Sequence, residues 1–402
     1  MNRTKLTLLA LLAGLTTTDL VAEPAKPPIT TVGVKALAAA PKSTAQSFNG
    51  FATLRSATPD RAPNEQIQAV LKGGTTGGSQ PHFDATSLDN ITRYGRSFWG
   101  LDAFSWGISN EPYKLIGQAS VNRNMVVVDR KQQESVLSSS LLAYSGKMLQ
   151  AAAVETNARW SVLAPETKGP SSERILQRRL LIVTDDYVLV ADYLKGSQSH
   201  TFDNVFQFRD FGGIDGAEKK LVWHDEQHST DLHSAAQFIT DCDWYTATAP
   251  AVGHFAFSFG PVDGNRKTRP TDINEPGTVK MDIHSAWPPS QQIMLASIVV
   301  PRRDHPQRRK VYGIRSTGTE ARFVTVLEPY QTTAVVKAVT AEAPDHIRVE
   351  LADGRIQQIA ISGLDGDGKH VGVDMVETKA GAAVRSESCG YPGELGRAVW
   401  GK

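Results

Sequence analysis

The stretch RILQRRLLIVT (174–184), the pair Asp185-Asp186 and YVLVADYL (187–194) together decide the fold of this chain. Both apolar segments are short, rich in Val, Ile and Leu, and separated only by the two acidic residues. Short apolar segments bounded in this way predict a β-hairpin. TFDNVFQF (201–208) follows with aromatic residues at alternate positions, which predicts a further strand of the same meander.

Strand patterns recur on both sides of this hairpin. Upstream they cover 51–59, 66–72 and 148–155. Downstream they cover 221–224, 254–259, 278–283, 292–300, 310–314, 322–328, 334–340, 346–351, 356–361 and 371–377. No segment keeps a helical 3.6-residue period between end caps. Many short strands separated by Gly and Pro predict an all-β protein built as a large antiparallel β-sandwich.

The N-terminal segment predicts export. Residues 2–5 carry Arg and Lys, residues 6–15 (LTLLALLAGL) are apolar, and Ala22 or Ala25 is a small residue suited to cleavage. We therefore expect a signal peptide over 1–22 and a periplasmic or secreted protein. The apolar run is too short for a permanent membrane anchor, and no later run approaches the length of a span.

The mature chain divides by composition into three parts. Residues 23–47 are rich in Ala, Pro, Thr and Lys and predict a linker. Residues 48–335 are assigned to the β-sandwich. Residues 336–402 form a C-terminal β meander, which is either a small satellite unit or the end of the same sandwich.

Charge and cysteine content limit the function classes. The 402 residues have a formal net charge of +1, so no global electrostatic argument supports nucleic-acid binding. Two cysteines, Cys242 and Cys389, are present; they either pair in an oxidising compartment or are buried thiols. The arginine-rich run at 301–310 is either a polyanion-binding segment or a solvated loop between strands.

The residues with most chemical potential lie between Gly73 and Asp129. The segments are GGTTGGSQPHFDATSLDN (73–90), GLDAFSWG (100–107) and SVNRNMVVVD (120–129). In this order and spacing they resemble the C-terminal β-sandwich domain of the heparinase II/III and alginate lyase superfamily. The hairpin fits the same family through Arg179, the turn at Asp186-Tyr187 and Asp192, and His200 and Phe206 continue the pattern.

The resemblance implies β-elimination on a uronic-acid polysaccharide. In that family a helical toroid supplies the tyrosine base and the residues that neutralise the substrate carboxylate, whereas the β-sandwich supplies a histidine, a metal site and one wall of the cleft. Only about fifty residues precede the β region here, so we expect a toroid-bearing chain as a partner. Whether this chain acts as an enzyme is left open. The alternative is a non-catalytic carbohydrate-binding or scaffold β-sandwich.

Two substitutions in the motifs alter the expected chemistry. Gln80 stands at the first histidine of the family's His-x-His-x-Asp motif, and an amide binds substrate without titrating. The metal trio of the family corresponds to His82, Asp102 and Arg123, but a guanidinium has no lone pair for a cation. We therefore expect no bound cofactor, with Arg123 paired to Asp102 in place of the ion. A zinc ion held by His82 and Asp102 is the alternative.

The remaining candidate residues concern the polysaccharide. His82 is either a structural residue bonded to Asp84 or Asp102, a ligand-contacting or catalytic group, or a metal ligand. Tyr113 is the hydroxyl-bearing aromatic near the expected position of the catalytic acid. Trp99 and Trp106 either stack on sugar faces or belong to the core. Together with Gln80 and Arg123, these tryptophans are the predicted substrate-binding set.

Overall fold

The structure, a computed structural model, describes residues 43–46, 50–74, 83–97, 117, 119–136, 140–161, 173–208, 214–215, 218–220, 239–247, 250–256, 279–300, 307–366 and 370–390. Antiparallel strands dominate these residues, and a 3₁₀ turn spans Ser120–Asn122. The predicted all-β sandwich class is therefore confirmed.

The strands form three antiparallel sheets. Sheet I contains β1 (Thr44–Gln46), β2 (Phe51–Arg55), β3 (Gln68–Lys72), β4 (Leu88–Arg93) and β5 (Arg96–Ser97). Sheet II contains β6 (Val126–Val128), β7 (Gln132–Gln133), β8 (Ser140–Ser145), β9 (Gln150–Ser161), β10 (Arg174–Val183), β11 (Val188–Phe208), β12 (Ile214–Asp215), β13 (Glu218–Lys220), β14 (Ile239–Ala247), β15 (Ala251–Ala256), β16 (Lys280–Trp287), β17 (Gln291–Val300) and β18 (Gln307–Tyr330). Sheet III contains β19 (Val336–Ala343), β20 (His346–Leu351), β21 (Arg355–Ser362), β22 (Gly372–Lys379) and β23 (Ala382–Cys389).

The predicted hairpin, β10 and β11, is buried on both of its faces. Leu181 and Val183 belong to the hydrophobic cluster that includes sheet I, whereas Leu180 and Ile182 belong to the cluster that includes sheet III. Successive residues of a strand point to opposite faces, so burial on both faces demands an apolar residue at nearly every position. The continuous apolar runs in the sequence have this cause.

Two strands are much longer than the sequence patterns indicated. The predicted strands at 187–194 and 201–208 are one strand, β11, and those at 310–314 and 322–328 are one strand, β18. The register between β11 and β18 shifts between Lys195 and His200. Polar residues around this irregularity interrupt the apolar pattern without ending the strand, and for this reason the sequence predicted two strands each time.

The N-terminal boundary also differs from the prediction. β1 lies inside the segment 23–47, which the sequence assigned to a linker, and it pairs with β2 through Ala45 and Ala52. Ser43 donates a hydrogen bond from Oγ to Gln150 Oε1 at 2.8 Å. Pairing and this contact fix residues 43–46, which lie at the end of a segment whose composition alone resembles a linker.

The strands β19 to β23 form sheet III, which packs on sheet II through a shared hydrophobic cluster. Cys389 is a buried thiol in this cluster, and Cys242 is a buried thiol in the cluster that includes sheet I. The buried-thiol alternative is therefore the one observed. Among the residues that the structure describes, none forms a helix with the length and apolar character that crossing a lipid bilayer requires.

Candidate functional site

The described part of the chemistry-bearing stretch is organised around a β-bulge in β4. Val70 pairs with Asn90 and Leu71 pairs with Leu88, so Asp89 is an extra residue without a partner position in β3. A bulge of this kind redirects a side chain that regular pairing would place elsewhere. Burial raises the pKa of Asp89, the positive charges of Arg123 and Lys72 oppose the increase, and the negative charge of Asp84 adds to it.

A buried ion network lies beside this bulge. Lys72 Nζ lies 2.7 Å from Asp84 Oδ1, and Arg123 donates from Nε to Asp84 Oδ2 at 3.0 Å. The Asp84 side chain is only 1% exposed and that of Arg123 12%. Two fixed cations therefore surround one fixed anion, and the carboxyl of Asp89 joins the same electrostatic environment.

Arg123 also holds the loop that precedes it. Its Nη2 donates to the carbonyl of Gly117 at 2.7 Å, and its Nη1 donates to the carbonyl of Asn122 at 3.3 Å. The guanidinium is thus engaged by Asp84 and by two main-chain carbonyls. This geometry gives Arg123 a positioning role, whether or not it also contacts a substrate.

The segment SVNRN is anchored to the core by the predicted family residues of the hairpin. Arg179 and Asp192 form a bidentate ion pair at 2.7 and 3.0 Å, and both side chains are fully buried. Arg179 also donates to the carbonyl of Asn124 at 2.6 Å. Asn124 in turn donates from Nδ2 to the carbonyl of Leu88 at 3.1 Å. The hairpin core therefore fixes the main chain beside the bulge.

The turn before β4 holds an unusual backbone conformation. Thr86 has a φ of +80°, a region that β-branched residues rarely occupy. Its amide donates to the carbonyl of Lys72 at 2.8 Å, which ties the turn to the end of β3. Strained residues of this kind concentrate at functional sites.

Most of the predicted site residues lie outside the described part of the chain. They are Gln80, His82, Trp99, Asp102, Trp106 and Tyr113. Their predicted roles stay predictions, including the metal ligation and catalysis proposed for His82. The sequence alone gives Asp89 no role, because its position depends on a register shift that the sequence does not reveal.

The metal trio implied by the family does not fit at its third position. Arg123 uses its guanidinium to donate hydrogen bonds to Asp84 and to main-chain carbonyls. A protonated guanidinium offers no lone pair to a cation. The expected pairing partner, Asp102, lies outside the described residues, whereas Asp84 is an observed partner of Arg123.

A histidine clip fixes the irregular part of β11. His200 Nδ1 lies 2.8 Å from Asp129 Oδ2, and its Nε2 lies 2.5 Å from Glu173 Oε1. Burial disfavours the charged ring, but the two hydrogen bonds outweigh it and raise the pKa of His200. Hydrogen bonds from Ser197 and His200 lower the pKa of Glu173 to about 2.

The turn of the hairpin forms an ionic junction between the three sheets. We name it the turn joint, and it comprises Asp185, Asp186 and Glu377 with the guanidinium groups of Arg61, Arg355 and Arg385. Glu377 is 2% exposed and also accepts a hydrogen bond of 2.6 Å from Gln357. Each carboxylate of the turn joint thus has at least one guanidinium partner.

No family model matches this sequence, and no curated protein matches it. A solved structure of heparinase III matches with a TM-score of 0.51 and 14% identity. This chain shares the fold of heparinase III. The match covers 87% of this chain and 42% of that chain, so this chain spans less than half the length of heparinase III. Heparan sulfate lyase HepC from Pedobacter heparinus is also similar, at 13% identity and a TM-score of 0.44, with 88% of this chain and 43% of that chain covered.

The resemblance inferred from the motifs is confirmed at the level of the fold. The chain has a β-sandwich of the heparinase III fold, and the match to 42% of heparinase III is consistent with the expectation that this chain corresponds to one part of such a protein.

Proposed function

We propose that this chain is the β-sandwich component of an exported polysaccharide lyase that acts on a uronic-acid polysaccharide. The observation that carries the proposal is the fold shared with heparinase III, at a TM-score of 0.51 over 87% of this chain. The signal-peptide pattern at 1–22 supports a periplasmic or secreted location. The partner substrate is an acidic polysaccharide or oligosaccharide.

The reaction is a β-elimination. A base removes the proton at C5 of the uronate, the electron pair forms the C4–C5 double bond, and the C4–O bond breaks. An acid then protonates the departing glycosidic oxygen. In the family that the motifs resemble, the tyrosine base belongs to a helical toroid, and the proposed reaction takes its base from such a toroid.

The described residues contribute charge and position to this scheme. Arg123 and Lys72 place two cations beside Asp84, so this group carries one net positive charge before Asp89 ionises, and a positive field favours an approaching carboxylate. Asp89 supplies a carboxyl group whose raised pKa brings its titration closer to neutral pH. The predicted roles of His82 and Tyr113 belong to the same site.

A second candidate function is carbohydrate binding without catalysis. Arg123 favours it, because this residue is a permanently charged, loop-anchoring group at a position where the family pattern has a histidine. In this case the β-sandwich keeps a surface that binds the polysaccharide but transfers no proton.

One experiment separates the two functions. The purified chain is passed over alginate and heparin gels, with a neutral dextran gel as the control, and incubated with the same polymers while the absorbance of the unsaturated product is followed. Retention on the acidic gels alone is expected, with product formed when a toroid-bearing chain is added. Retention without product in the presence of that chain supports the binding function. Equal passage through all gels contradicts both.

A further inference from the structure

A second group of chemically capable residues lies on β16 and β18, away from the motifs. Asp282 and His284 are two residues apart in β16, so their side chains share one face of the strand. Glu328 stands opposite Asp282 in the register of β16 and β18. Ligand atoms of the three residues lie within 4.8 Å of one another, and all three residues are buried. We name them the acid–histidine cluster.

Two atoms of this cluster are buried polar groups that lack hydrogen-bond partners among the described residues. They are His284 Nε2 and Glu328 Oε2, which lie 3.8 Å apart. That separation is too long for a hydrogen bond. A buried imidazole and a buried carboxylate each cost free energy when they are left in this state.

A neighbouring histidine–carboxylate pair does form a hydrogen bond. His254 stands opposite Asp282 in the register of β15 and β16, and its Nδ1 lies 2.8 Å from Asp282 Oδ1. His284 Nε2 and Glu328 Oε2 are about 1 Å farther apart than the two atoms of that contact. A separation of 3.8 Å is compatible with an ion that is bound to both atoms at about 2.1 Å from each.

Outer contacts hold the carboxylates in orientation. Tyr330 donates from its hydroxyl to Asp282 Oδ1 at 3.2 Å, beside the contact with His254. Glu328 Oε1 accepts hydrogen bonds from the amides of Val335 and Val336, the second at 2.9 Å. The other oxygen, Oε2, is thereby directed to the side of His284. Such outer hydrogen bonds are typical of residues that orient metal ligands.

The local charge also favours a cation. Arg93 is the guanidinium whose charge acts on Glu328, but its Nη1 donates to the main-chain carbonyls of Pro329 at 2.6 Å and Asp186 at 3.4 Å. Glu328 thus lies in the field of one guanidinium that is engaged by the main chain, whereas Asp282 has the imidazole of His254 at 2.8 Å. A divalent ion would give Glu328 Oε2 and His284 Nε2 the partner that each of them lacks among the described residues.

We propose that the acid–histidine cluster is a binding site for a divalent cation of the zinc type. One imidazole with two carboxylates suits zinc better than calcium or magnesium, which prefer oxygen ligands alone. Two zinc–ligand bonds of about 2.1 Å each span the separation between His284 and Glu328. The ion joins β16 to β18 beside the amides that lead into sheet III. This site is separate from the set of His82, Asp102 and Arg123, and it does not depend on the proposed function.

The test uses the full chain after removal of metals with EDTA. Titration calorimetry and native mass spectrometry with ZnCl₂ are expected to give one zinc ion per chain. His284→Gln is expected to weaken binding by about 100-fold or more. His346→Gln is the matched control, because His346 is an exposed histidine that lies 3.0 Å from Asp345, and it is expected to bind zinc as the wild type does.

Several results overturn the proposal. They are the absence of stoichiometric zinc binding, unchanged binding in His284→Gln, tighter binding of CaCl₂ than of ZnCl₂, and loss of binding in His82→Ala with retention in His284→Gln. If His284→Gln does not fold, as judged by circular dichroism, Asp282→Asn takes its place. A zinc-dependent increase of the wild-type melting temperature that His346→Gln keeps provides an independent confirmation.

Discussion

The turn joint and the acid–histidine cluster are both buried acidic groups, but their charges are balanced in different ways. In the turn joint, Glu377 is paired with Arg355 at 3.1 Å and with Arg385 at 2.9 Å. In the cluster, Glu328 Oε2 has a histidine nitrogen at 3.8 Å and no hydrogen bond among the described residues. The protein thus neutralises one acidic group with its own cations and leaves the other for a bound cation. Buried acids whose partners come from the chain act as structural joints.

The largest expected effect is on the turn joint. Glu377→Gln removes the charge that Arg355 and Arg385 share and leaves their guanidinium groups less well paired. Removing one partner of a buried, charge-assisted pair lowers the free energy of unfolding by about 3 kcal/mol or more. Because both arginines are partly exposed, we expect a loss of about 2 kcal/mol here. Urea unfolding at neutral pH measures the loss.

Glu350→Gln is the matched control for this change. Glu350 lies in the same sheet and is paired with Arg348 at 2.6 Å, but both side chains are more than 30% exposed. Exposed pairs contribute less than about 1 kcal/mol. An equal loss in the two variants would contradict the structural role of the turn joint.

A smaller effect is expected when the same change is made in the acid–histidine cluster. In EDTA, Glu328→Gln is expected to change the free energy of unfolding by less than about 1 kcal/mol, because the amide oxygen still accepts from Val335 and Val336 while one uncompensated charge disappears. With ZnCl₂ present, the wild type gains stability and the variant does not. A loss in EDTA as large as that of Glu377→Gln would mean that Glu328 is part of a second structural joint.

The histidine clip is a third structural joint, and its contribution to stability depends on pH. Because the folded-state pKa of His200 is raised, its contribution to stability is complete below the unfolded pKa of about 6.5 and is lost as the pH rises through the folded value. Glu377 behaves in the opposite sense, since burial opposes its ionisation but hydrogen bonds from Arg385 and Gln357 prevail and lower its pKa. Its contribution is lost as the pH falls below about 4.3.

Urea unfolding between pH 5 and 9 is therefore expected to show a decrease in wild-type stability on the alkaline side. His200→Gln is expected to remove that decrease and Glu377→Gln to keep it. An alkaline decrease that is the same in the wild type and in His200→Gln would show that another group is responsible.

The sequence predicted the all-β class and the hairpin because these depend on local patterns. The apolar runs of β10 and β11 record burial on two faces, and Asp185-Asp186 marks the turn. Strand lengths were not predictable to the same degree. The register shift between Lys195 and His200 interrupts the pattern of a strand that continues through it.

The two sites were predictable to very different extents. The motif stretch was found because its residues are close in the sequence and resemble a family. The acid–histidine cluster was not found, because Glu328 meets Asp282 only through the pairing of β16 with β18. The one local signal was the alternation of Asp282 and His284 in the segment MDIHSAW, which places an acid and a histidine on one face. Partner strands decide whether such an alternation becomes a site.

The smallest effect on stability is expected for Asp89, in the bulge of β4. An increase in stability on its replacement would argue against a structural role, whereas a decrease would argue for one. Burial raises the pKa of Asp89, so its ionised form opposes folding, and this cost appears as the pH rises from about 3.9 through the folded value. Asp89→Asn is therefore expected to increase stability at pH 7 by less than about 1 kcal/mol, whereas Asp374→Asn, at an exposed position of β22, leaves it unchanged.

If Asp89 serves the polysaccharide site, the same variant shows altered retention on alginate and heparin gels although it is more stable. A stabilised variant with unchanged retention and unchanged product formation would remove Asp89 from the site, because a residue kept at a cost to folding and without effect on the ligand has no functional role there.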